Sequence, residues 1–518
     1  DSSTVNLVSN NSTKILAKNL NYKVGFDWLP NKNDLIGIKL EGAPGQNVKT
    51  TGGRNFTSNP EALGFDYVNS SMKQPDIWKT TNLNFNYSHN TDTMGSSLSI
   101  VSDYTRLTED ISSNNFNEFY AINDLQVLNP NNYRSVNENR SQLLSGKVDF
   151  VKVLDSTSSF EAGLKLVSSK TLNNYLFERD YTFNGTYVND TSLSNEFNYN
   201  EFTYAGYFNY IKSIGKLNMH LGVRVERTNL QGGTTKNFKL NKQYFNIFPN
   251  LSFDYAINQE HDLQLNLSRR INRPNFSDLN PFILFNDQYN YGQGNPFLLP
   301  DYTNRAELSY NFMSALSTSV AYSYTKDVIL GYTSQNDSTK VTLYRAKNQK
   351  SAKSFEYSVF YQKSVIKKWD IMFSGTFETV EHKGDIDGVD FSRKGINYYF
   401  YLSNSILVSK NAKLELNTLY IGPSISGIIQ SKSRWNASAA IKMSLFNDKL
   451  DLTIGAEDIF YSFFWRTRTN FDNQDWTFKR VDDTRRLNIA LNYKFGKIKI
   501  SDRNENASNE EEKRRFNH

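Results

Sequence analysis

The stretch Leu487 to Phe495, which reads LNIALNYKF, decides the fold because its apolar residues recur at every second position. Successive side chains of a β-strand point to opposite faces of the sheet. Such a strand would carry on one face Leu487, Ile489, Leu491, Tyr493 and Phe495. The other face would be polar or small, which is typical of a strand that separates two different environments. A tilted strand of about 9–11 residues is also long enough to cross a bilayer.

The same alternation recurs at residues 20–28, 217–225 and 435–445. Strands of soluble sandwiches also alternate, but they are usually only about 5–6 residues long. Charged residues such as Lys23 and Arg224 fall on the polar faces, and a dry interior would not hold many of them. The sequence therefore predicts an all-β chain that forms a transmembrane, antiparallel, up-and-down β-barrel around a wide, water-filled lumen.

Composition excludes several other classes of protein. The chain has 518 residues, of which only 38% are hydrophobic, and its mean hydropathy is −0.60. The longest apolar run, Tyr398 to Leu402, is far shorter than the roughly 20 residues of a membrane-spanning helix. With no cysteine and five scattered histidines, we expect no disulfide, no metal site and no cofactor. We find no catalytic constellation and no basic cluster for nucleic acid, so we expect neither an enzyme nor a nucleic-acid partner.

Short and long connections alternate along the chain between these segments. Long polar segments, such as residues 107–142 and 274–303, lie between the short connections. Outer-membrane barrels have short periplasmic turns and longer extracellular loops, so the long segments are predicted to be extracellular. The predicted turns are Leu29–Asp34, His89–Ser96, Asp155–Ser158, Ser213–Lys216, Asn258–His261, Met313–Ala315, Ser364–Trp369, Ser409–Ala412 and Asn447–Lys449.

These turns define nine hairpins which, with the last strand, give about nineteen strands within a barrel domain of residues 1–496. Single-chain bacterial barrels have an even number of strands, so we expect either a missed strand or further strands upstream. A weak strand is conceivable at Ser3–Leu16. Residues 497–518 are charged and lack apolar periodicity, which predicts a disordered tail on the periplasmic side.

Residues 269–310 read RRINRPNFSDLNPFILFNDQYNYGQGNPFLLPDYTNRAELSY and carry a motif. This segment resembles the signature of the barrel domains of TonB-dependent outer-membrane receptors, in the form typical of Bacteroidota. The last strand with its preceding arginines resembles the same family, and the resemblance covers residues 20–496. The motif residues are Arg273, Pro274, Asp278, Leu279, Gly294, Asn295, Pro296, Leu298, Pro300 and Glu307.

The resemblance implies a 22-stranded barrel in the cell outer membrane, whose lumen is filled by an N-terminal plug domain. About three strands and the plug would then precede this sequence. The implied function is capture of a scarce nutrient by long extracellular loops and its import with energy from a TonB-type transducer acting through the plug. The alternative is a structural or accessory barrel of a larger outer-membrane assembly for secretion, lipoprotein export or barrel assembly. Expected partners are outer-membrane lipids and, in either role, surface lipoproteins or other complex subunits.

Two local features invite functional interpretation. The motif loop could contact a ligand from outside the cell, although we favour a rigid, packed connection at the barrel rim. Aromatic residues of the loops could stack on a ligand, although a girdle at the bilayer interface is the favoured interpretation. The candidate ligand contacts are Phe285, Tyr289, Tyr291, Phe464 and Trp465.

Overall fold

A computed structural model describes residues 7–58, 63–235, 238–285, 287, 289–495 and 508–515. Strands dominate these residues, and two short helices, Phe276–Leu279 and Glu510–Arg514, accompany them. In this part of the chain no helix is long and apolar enough to span a bilayer.

The first half of the chain is a succession of long strands. They are β1 (Leu7–Asn19), β2 (Tyr22–Trp28), β3 (Asp34–Thr57), β4 (Tyr67–Asn90), β5 (Ser97–Tyr120), β6 (Gln126–Leu128), β7 (Tyr133–Asp155), β8 (Ser158–Arg179), β9 (Val188–Asn189), β10 (Asn195–Ile214), β11 (Leu217–Thr234), β12 (Lys239–Ala256) and β13 (His261–Asn272).

The second half inserts short strands and the two helices between the long strands. The elements are α1 (Phe276–Leu279), β14 (Ile283–Phe285), β15 (Asn290–Gln293), β16 (Asp301–Phe312), β17 (Leu316–Lys326), β18 (Ile329–Asn336), β19 (Val341–Asn348), β20 (Ser351–Ile366), β21 (Trp369–Ile386), β22 (Val389–Ser409), β23 (Ala412–Ile421), β24 (Ser424–Ser426), β25 (Ile429–Ser431), β26 (Arg434–Leu445), β27 (Leu450–Glu457), β28 (Trp465–Phe471), β29 (Gln474–Arg480), β30 (Arg486–Tyr493) and α2 (Glu510–Arg514).

One antiparallel sheet contains 22 strand segments, and each long strand pairs with the next one along the chain. When β1 and β2 are counted as one interrupted strand and the short segments β6 and β9 are set aside, nineteen strands follow one another. The all-β, up-and-down architecture and the strand count predicted from the sequence are therefore confirmed. Two four-stranded sheets, β14-β15-β19-β18 and β24-β25-β28-β29, are formed by the connections.

The weak strand proposed near the start of the chain does exist as β1, but it does not add a strand to the barrel. Both β1 and β2 pair antiparallel with β3, at residues 45–57 and 36–42 respectively. The interruption falls opposite Pro44. The carbonyl of Pro44 accepts a hydrogen bond from the Leu20 N–H, but proline has no N–H to donate to the ladder. Thus β1 continues β2 beyond a local break in the ladder.

All nine predicted turns lie between consecutive strands of the large sheet. The prediction of strand length was wrong at the other rim, because β3, β4 and β5 each run for 24 residues. Much of the predicted loop sequence is therefore strand. An antiparallel ladder needs an apolar face only where it meets lipid, so in water it continues through polar sequence that shows no alternation.

The two faces of the sheet differ as the alternation predicts. On β8, the apolar residues Leu164 and Leu166 are 66% and 49% exposed, whereas Lys165 between them is only 8% exposed. On β10, Tyr204 is exposed between the buried residues Thr203 and Ala205. The exposed apolar face is the one that meets lipid, and the polar face lines the lumen.

The C-terminal residues differ from the sequence prediction. Residues 496–507 and 516–518 lie outside the described residues, but residues 508–515 contain α2 and are not a solvated tail. Ser508, Asn509, Glu512 and Arg515 are buried against lumen-facing residues of β5, β7, β8 and β10. A charged sequence without apolar periodicity predicts a disordered tail. Here the barrel supplies ionic partners of both signs, and these partners bury part of the segment.

Candidate functional site at the mouth of the lumen

Residues 273–300, hereafter the motif segment, fold inward at the loop rim. Their apolar side chains join a buried cluster on the lumen face of β7, β8, β10, β11 and β12. Phe276 meets Tyr199 edge to face at 5.5 Å, and Phe282 stacks on Tyr175 at 5.4 Å. The cluster comprises Tyr133, Tyr175, Phe177, Phe197, Tyr199, Leu230, Leu240, Phe276, Leu279, Phe282, Leu298 and Ala346. The motif segment thus narrows the mouth of the lumen.

Arg273, the first motif residue, lies in a buried ionic network. Its Nη2 donates to Glu226 at 2.5 Å, and its Nε lies 3.9 Å from Glu201. Arg224 also bridges Glu226, at 2.5 Å. On the far side, Nη1 of Arg273 donates to Glu511 of α2 at 3.1 Å. A buried charge is tolerated only with such partners, which explains why an arginine with its forked donors occupies this position.

The second half of the motif builds a tight return of the chain. The Asn295 N–H donates to the carbonyl of Asp278 at 2.5 Å, and its side-chain amide donates to the carbonyl of Ala346 at 3.2 Å. A Cβ on Gly294 would lie 2.3 Å from the carbonyl oxygen of Asn280, so only glycine fits there. Pro296, Leu298 and Pro300 are buried beyond this return.

Glu307 is not part of this assembly. It lies on β16, where Arg305 donates to it at 2.6 Å and also to Glu356 at 2.9 Å. The structure therefore brings the other motif residues together and leaves Glu307 in a separate ion-pair group on the barrel wall.

The first aromatic group is packed on the lumen side and not at an outer girdle. Phe285 contacts Tyr291 at 4.6 Å and Tyr133 at 5.1 Å between ring centroids. Tyr289 packs against a second buried cluster that contains Phe65. Burial raises the pKa of Tyr289 to about 12. These rings stabilise the mouth, and their role as ligand contacts stays a prediction.

The second aromatic group lies on and beside β28, and cations cover its ring faces. The guanidinium of Arg434 is 3.1 Å from the ring centroid of Trp465, while Arg466 and Lys479 lie 4.7 and 5.3 Å from that of Phe464. Trp465 is still 39% exposed. Among the residues that the structure describes, no ring contact joins Phe464 or Trp465 to the first aromatic group.

Sequence reasoning missed the residues that meet the C-terminal segment. Arg515 donates to both carboxylate oxygens of Glu201, at 2.8 and 3.1 Å. Burial alone would lower the pKa of Arg515, but the Glu201 carboxylate raises that pKa above its ordinary value, so the guanidinium is charged. Glu201 could have been noted as a charge on a lumen face, whereas nothing in the sequence near Arg515 indicates a docked segment.

A cavity of about 100 Å³ lies beside this contact. Its lining includes Asn139, Asn173, Ser277 and Arg515, which offer amide, hydroxyl and guanidinium groups. Such a space holds ordered water or a small polar group. Among the described residues, no group of three or more potential metal ligands is present.

Residues 89–493 match the model of the outer membrane protein beta-barrel family. A search of curated protein sequences finds no match. Among solved structures, the fold is similar to the ferric-catecholate import receptor Fiu from K12 E. coli, at a TM-score of 0.59 and 9% identity, covering 94% of this chain and 81% of that one.

Two further structures show the same fold. The copper transporter OprC has a TM-score of 0.58 and 10% identity, covering 95% of this chain and 80% of that one. The pyoverdine outer membrane receptor FpvA from Pseudomonas aeruginosa PAO1 has a TM-score of 0.56 and 14% identity, covering 94% and 78%. The resemblance to receptor barrels and the expected outer-membrane location are confirmed. By their names, these three proteins are receptors and a transporter.

Proposed function

Because this chain belongs to the outer membrane protein beta-barrel family, we propose that it forms the membrane-spanning barrel of a receptor that imports a scarce nutrient. The observation that best supports this proposal is the combination of a wide, polar lumen with a packed, partly exposed loop rim. Nineteen paired strands are more than a barrel filled by its own side chains needs, so a barrel of this size has room for a solute path.

The nutrient class we propose is a metal chelate, a glycan or a peptide, captured at the loop rim. Trp465 supports this placement because it combines an exposed aromatic edge with neighbouring cations. Aromatic and cationic side chains together suit a ligand with flat or anionic groups. Energy would come from a TonB-type transducer acting through a plug, as in the receptors that the motif resembles.

Uptake measurements test the proposal. Cells producing the full-length protein are offered labelled ferric chelates, oligosaccharides or peptides, with and without the TonB-type transducer. We expect uptake of one class that is lost without the transducer. Uptake that is unchanged by this deletion would overturn the proposal. Trp465→Ala should reduce this uptake, and Phe446→Ala, an exposed aromatic at a turn-rim connection, is the matched control that should not.

A second candidate is an accessory barrel of a larger outer-membrane assembly. The observation that favours it is the burial of Ser508, Asn509, Glu512 and Arg515 against the lumen wall, since a barrel whose lumen is occupied need not conduct a solute. Purification in mild detergent tests this candidate. A stoichiometric partner together with no energy-dependent uptake supports the accessory role, and a lone barrel contradicts it.

A further inference from the structure

The C-terminal residues 508–515, hereafter the lumen-docked segment, begin with a polar anchor on two strands. The backbone N–H of Ser508 donates to the Asp103 carboxylate at 2.7 Å, and its hydroxyl donates to the same carboxylate. The hydroxyl also lies 2.6 Å from that of Ser145. Asn509, which is fully buried, donates to Thr105 at 3.3 Å. This end of the segment therefore contacts both β5 and β7.

The helix α2 continues with two ion pairs, one to the wall and one to the motif segment. Lys165 donates to both oxygens of Glu512, at 2.9 and 3.1 Å, and each side chain is only about a tenth exposed. Glu511 accepts from Arg273, which ties the helix to the motif segment. Acidic groups of the segment thus meet basic groups of the barrel.

The last described residue makes the reverse pairing. Beyond its bidentate contact with Glu201, Arg515 donates from Nε to the Pro274 carbonyl at 3.1 Å. Its guanidinium lies 4.3 Å from the ring centroid of Phe276, whose N–H donates to the Arg515 carbonyl at 3.2 Å. One arginine is therefore held by a carboxylate, two backbone contacts and a ring face.

The wall residues that hold the segment are close together in the sheet register. Ser145 pairs with Asp103 on one side and Val167 on the other, and Glu201 pairs with Ser169. Lys165 lies two positions from Val167 on the same face of β8. The contacts thus cross four neighbouring strands at nearly one height, as expected of a segment lying across the wall.

From this complementarity we propose that the lumen wall of β5, β7, β8 and β10 is a binding site for residues 508–515, which cover it beside the motif segment and restrict passage until they are released. The occupant is specified by charge: Lys165 of the wall and Arg273 of the motif segment pair with acids, and Glu201 of the wall pairs with an arginine. A buried charge without a partner is strongly unfavourable, and in the docked arrangement each of these buried charges has one. The inference goes beyond the proposed receptor function because it does not depend on which solute is carried.

A disulfide test measures docking directly. The chain has no cysteine, so a Ser145→Cys, Ser508→Cys variant contains one pair only, and hydroxyls 2.6 Å apart suit an S–S bond of about 2.05 Å. The full-length variant is oxidised mildly in intact outer membranes and its peptides are identified by mass spectrometry. We expect the cross-link in most molecules, and not in the control Ser358→Cys, Ser508→Cys on β20. Equal or absent cross-linking in both variants would show that something else fills the lumen, and would overturn the proposal.

Conductance tests the restriction. In planar bilayers, Lys165→Glu should raise the undocked fraction, and with it the mean current, at least about tenfold, and the double variant Lys165→Glu, Glu512→Lys should restore the low current. A chain ending at residue 507 should resemble the single variant. Unchanged current in both the single variant and the shortened chain would overturn the restriction. Neither the cross-link nor the current requires transport. A failure of this proposal can therefore be distinguished from a failure of the proposed receptor function.

Discussion

Two parts of the barrel share one alternating sequence pattern but hold their lumenal charges differently. In the early wall, formed by β5, β7, β8, β10 and β11, the residues Asp103, Lys165 and Glu201 are each less than a tenth exposed. In the later wall, formed by β16, β17, β20–β23 and β26, Arg305 bridges Glu307, yet their side chains are 31% and 26% exposed.

The difference comes from what covers each wall. The motif segment and the lumen-docked segment lie over the early wall and remove its charges from water, so each charge there needs a specific partner. The later wall keeps its ion pairs hydrated, and hydrated pairs contribute little to stability. The same residue types therefore matter energetically on one wall and much less on the other.

The largest expected effect contrasts arginines from the two walls. Arg273→Ala removes the cation that Glu226 and Glu201 share and leaves them with Arg224 and Arg515, so the loss of charged hydrogen bonds should lower the free energy of unfolding by about 1.5–3 kcal/mol. Arg305→Ala, the matched control, should cost no more than about 1 kcal/mol. Urea unfolding in detergent micelles, followed by tryptophan fluorescence, measures both. Equal losses would mean that burial does not distinguish the walls.

A glycine substitution tests the packing of the motif segment, which lies over the early wall. Gly294→Ala would press a methyl group against the Asn280 carbonyl and displace the motif segment, at a cost of about 1–3 kcal/mol. Gly146→Ala is the control, because a Cβ there meets nothing within 4 Å. Protease cleavage within residues 273–300 should rise in the first variant only. An uncleaved Gly294→Ala chain would contradict the proposed tight return.

A pH effect is expected at the loop after β27, next to the later wall. Burial alone would raise the pKa of Asp458, but hydrogen bonds from the Thr484 hydroxyl and the N–H groups of Ser462 and Phe463 hold that pKa below its usual value. A carboxylate with a lowered pKa stabilises the fold above the pKa of the unfolded chain, and this contribution is lost as the pH falls through the folded pKa.

The protection of residues 458–484 from hydrogen exchange, measured relative to the intrinsic rate at each pH, should therefore fall as the solution is acidified below about pH 4, where an unfolded aspartate takes up its proton. Asp458→Asn should exchange faster at neutral pH and lose most of this pH dependence. The exposed Asp483→Asn variant is the control and should behave as the parent chain does. Acid sensitivity that survives in Asp458→Asn would place its origin elsewhere.

The smallest expected effect concerns the cation on an aromatic face. Trp465→Leu removes the ring beneath Arg434 and should cost only about 0.5–1 kcal/mol, since the site is partly exposed. Thermal unfolding should shift slightly, and Trp476→Leu provides a comparison within the same small sheet. A loss as large as that of Arg273→Ala would show that the later rim is as tightly organised as the early one.

The sequence predicted the barrel closely because its signals are local. Alternation at Leu487–Phe495 and at similar stretches follows from the two faces of one strand, and each short turn lies between two such stretches. Strand length could not be predicted in the same way, because β3 to β5 continue into water, where no apolar face is needed.

The motif could be recognised from the sequence, but the contacts that its residues make could not be predicted. Arg273 and Gly294 could be assigned to a family signature from their spacing, whereas their roles depend on Glu226, Glu511 and Asn280, which reach them through the fold. The sequence favours an interfacial girdle for the aromatic residues near Phe285, since a sequence does not reveal which side of the wall a connection folds toward.

By itself, the sequence determined the class of fold, the turns, the number of strands and which face of each strand meets lipid, because these depend on neighbours along the chain. Only the tertiary structure decided where the charges of residues 508–515 go. Lys165 and Glu512 are 347 positions apart, and each carries a charge that is ordinary at a surface. It is the enclosure of the lumen, by lowering access to water, that makes their pairing necessary and specific.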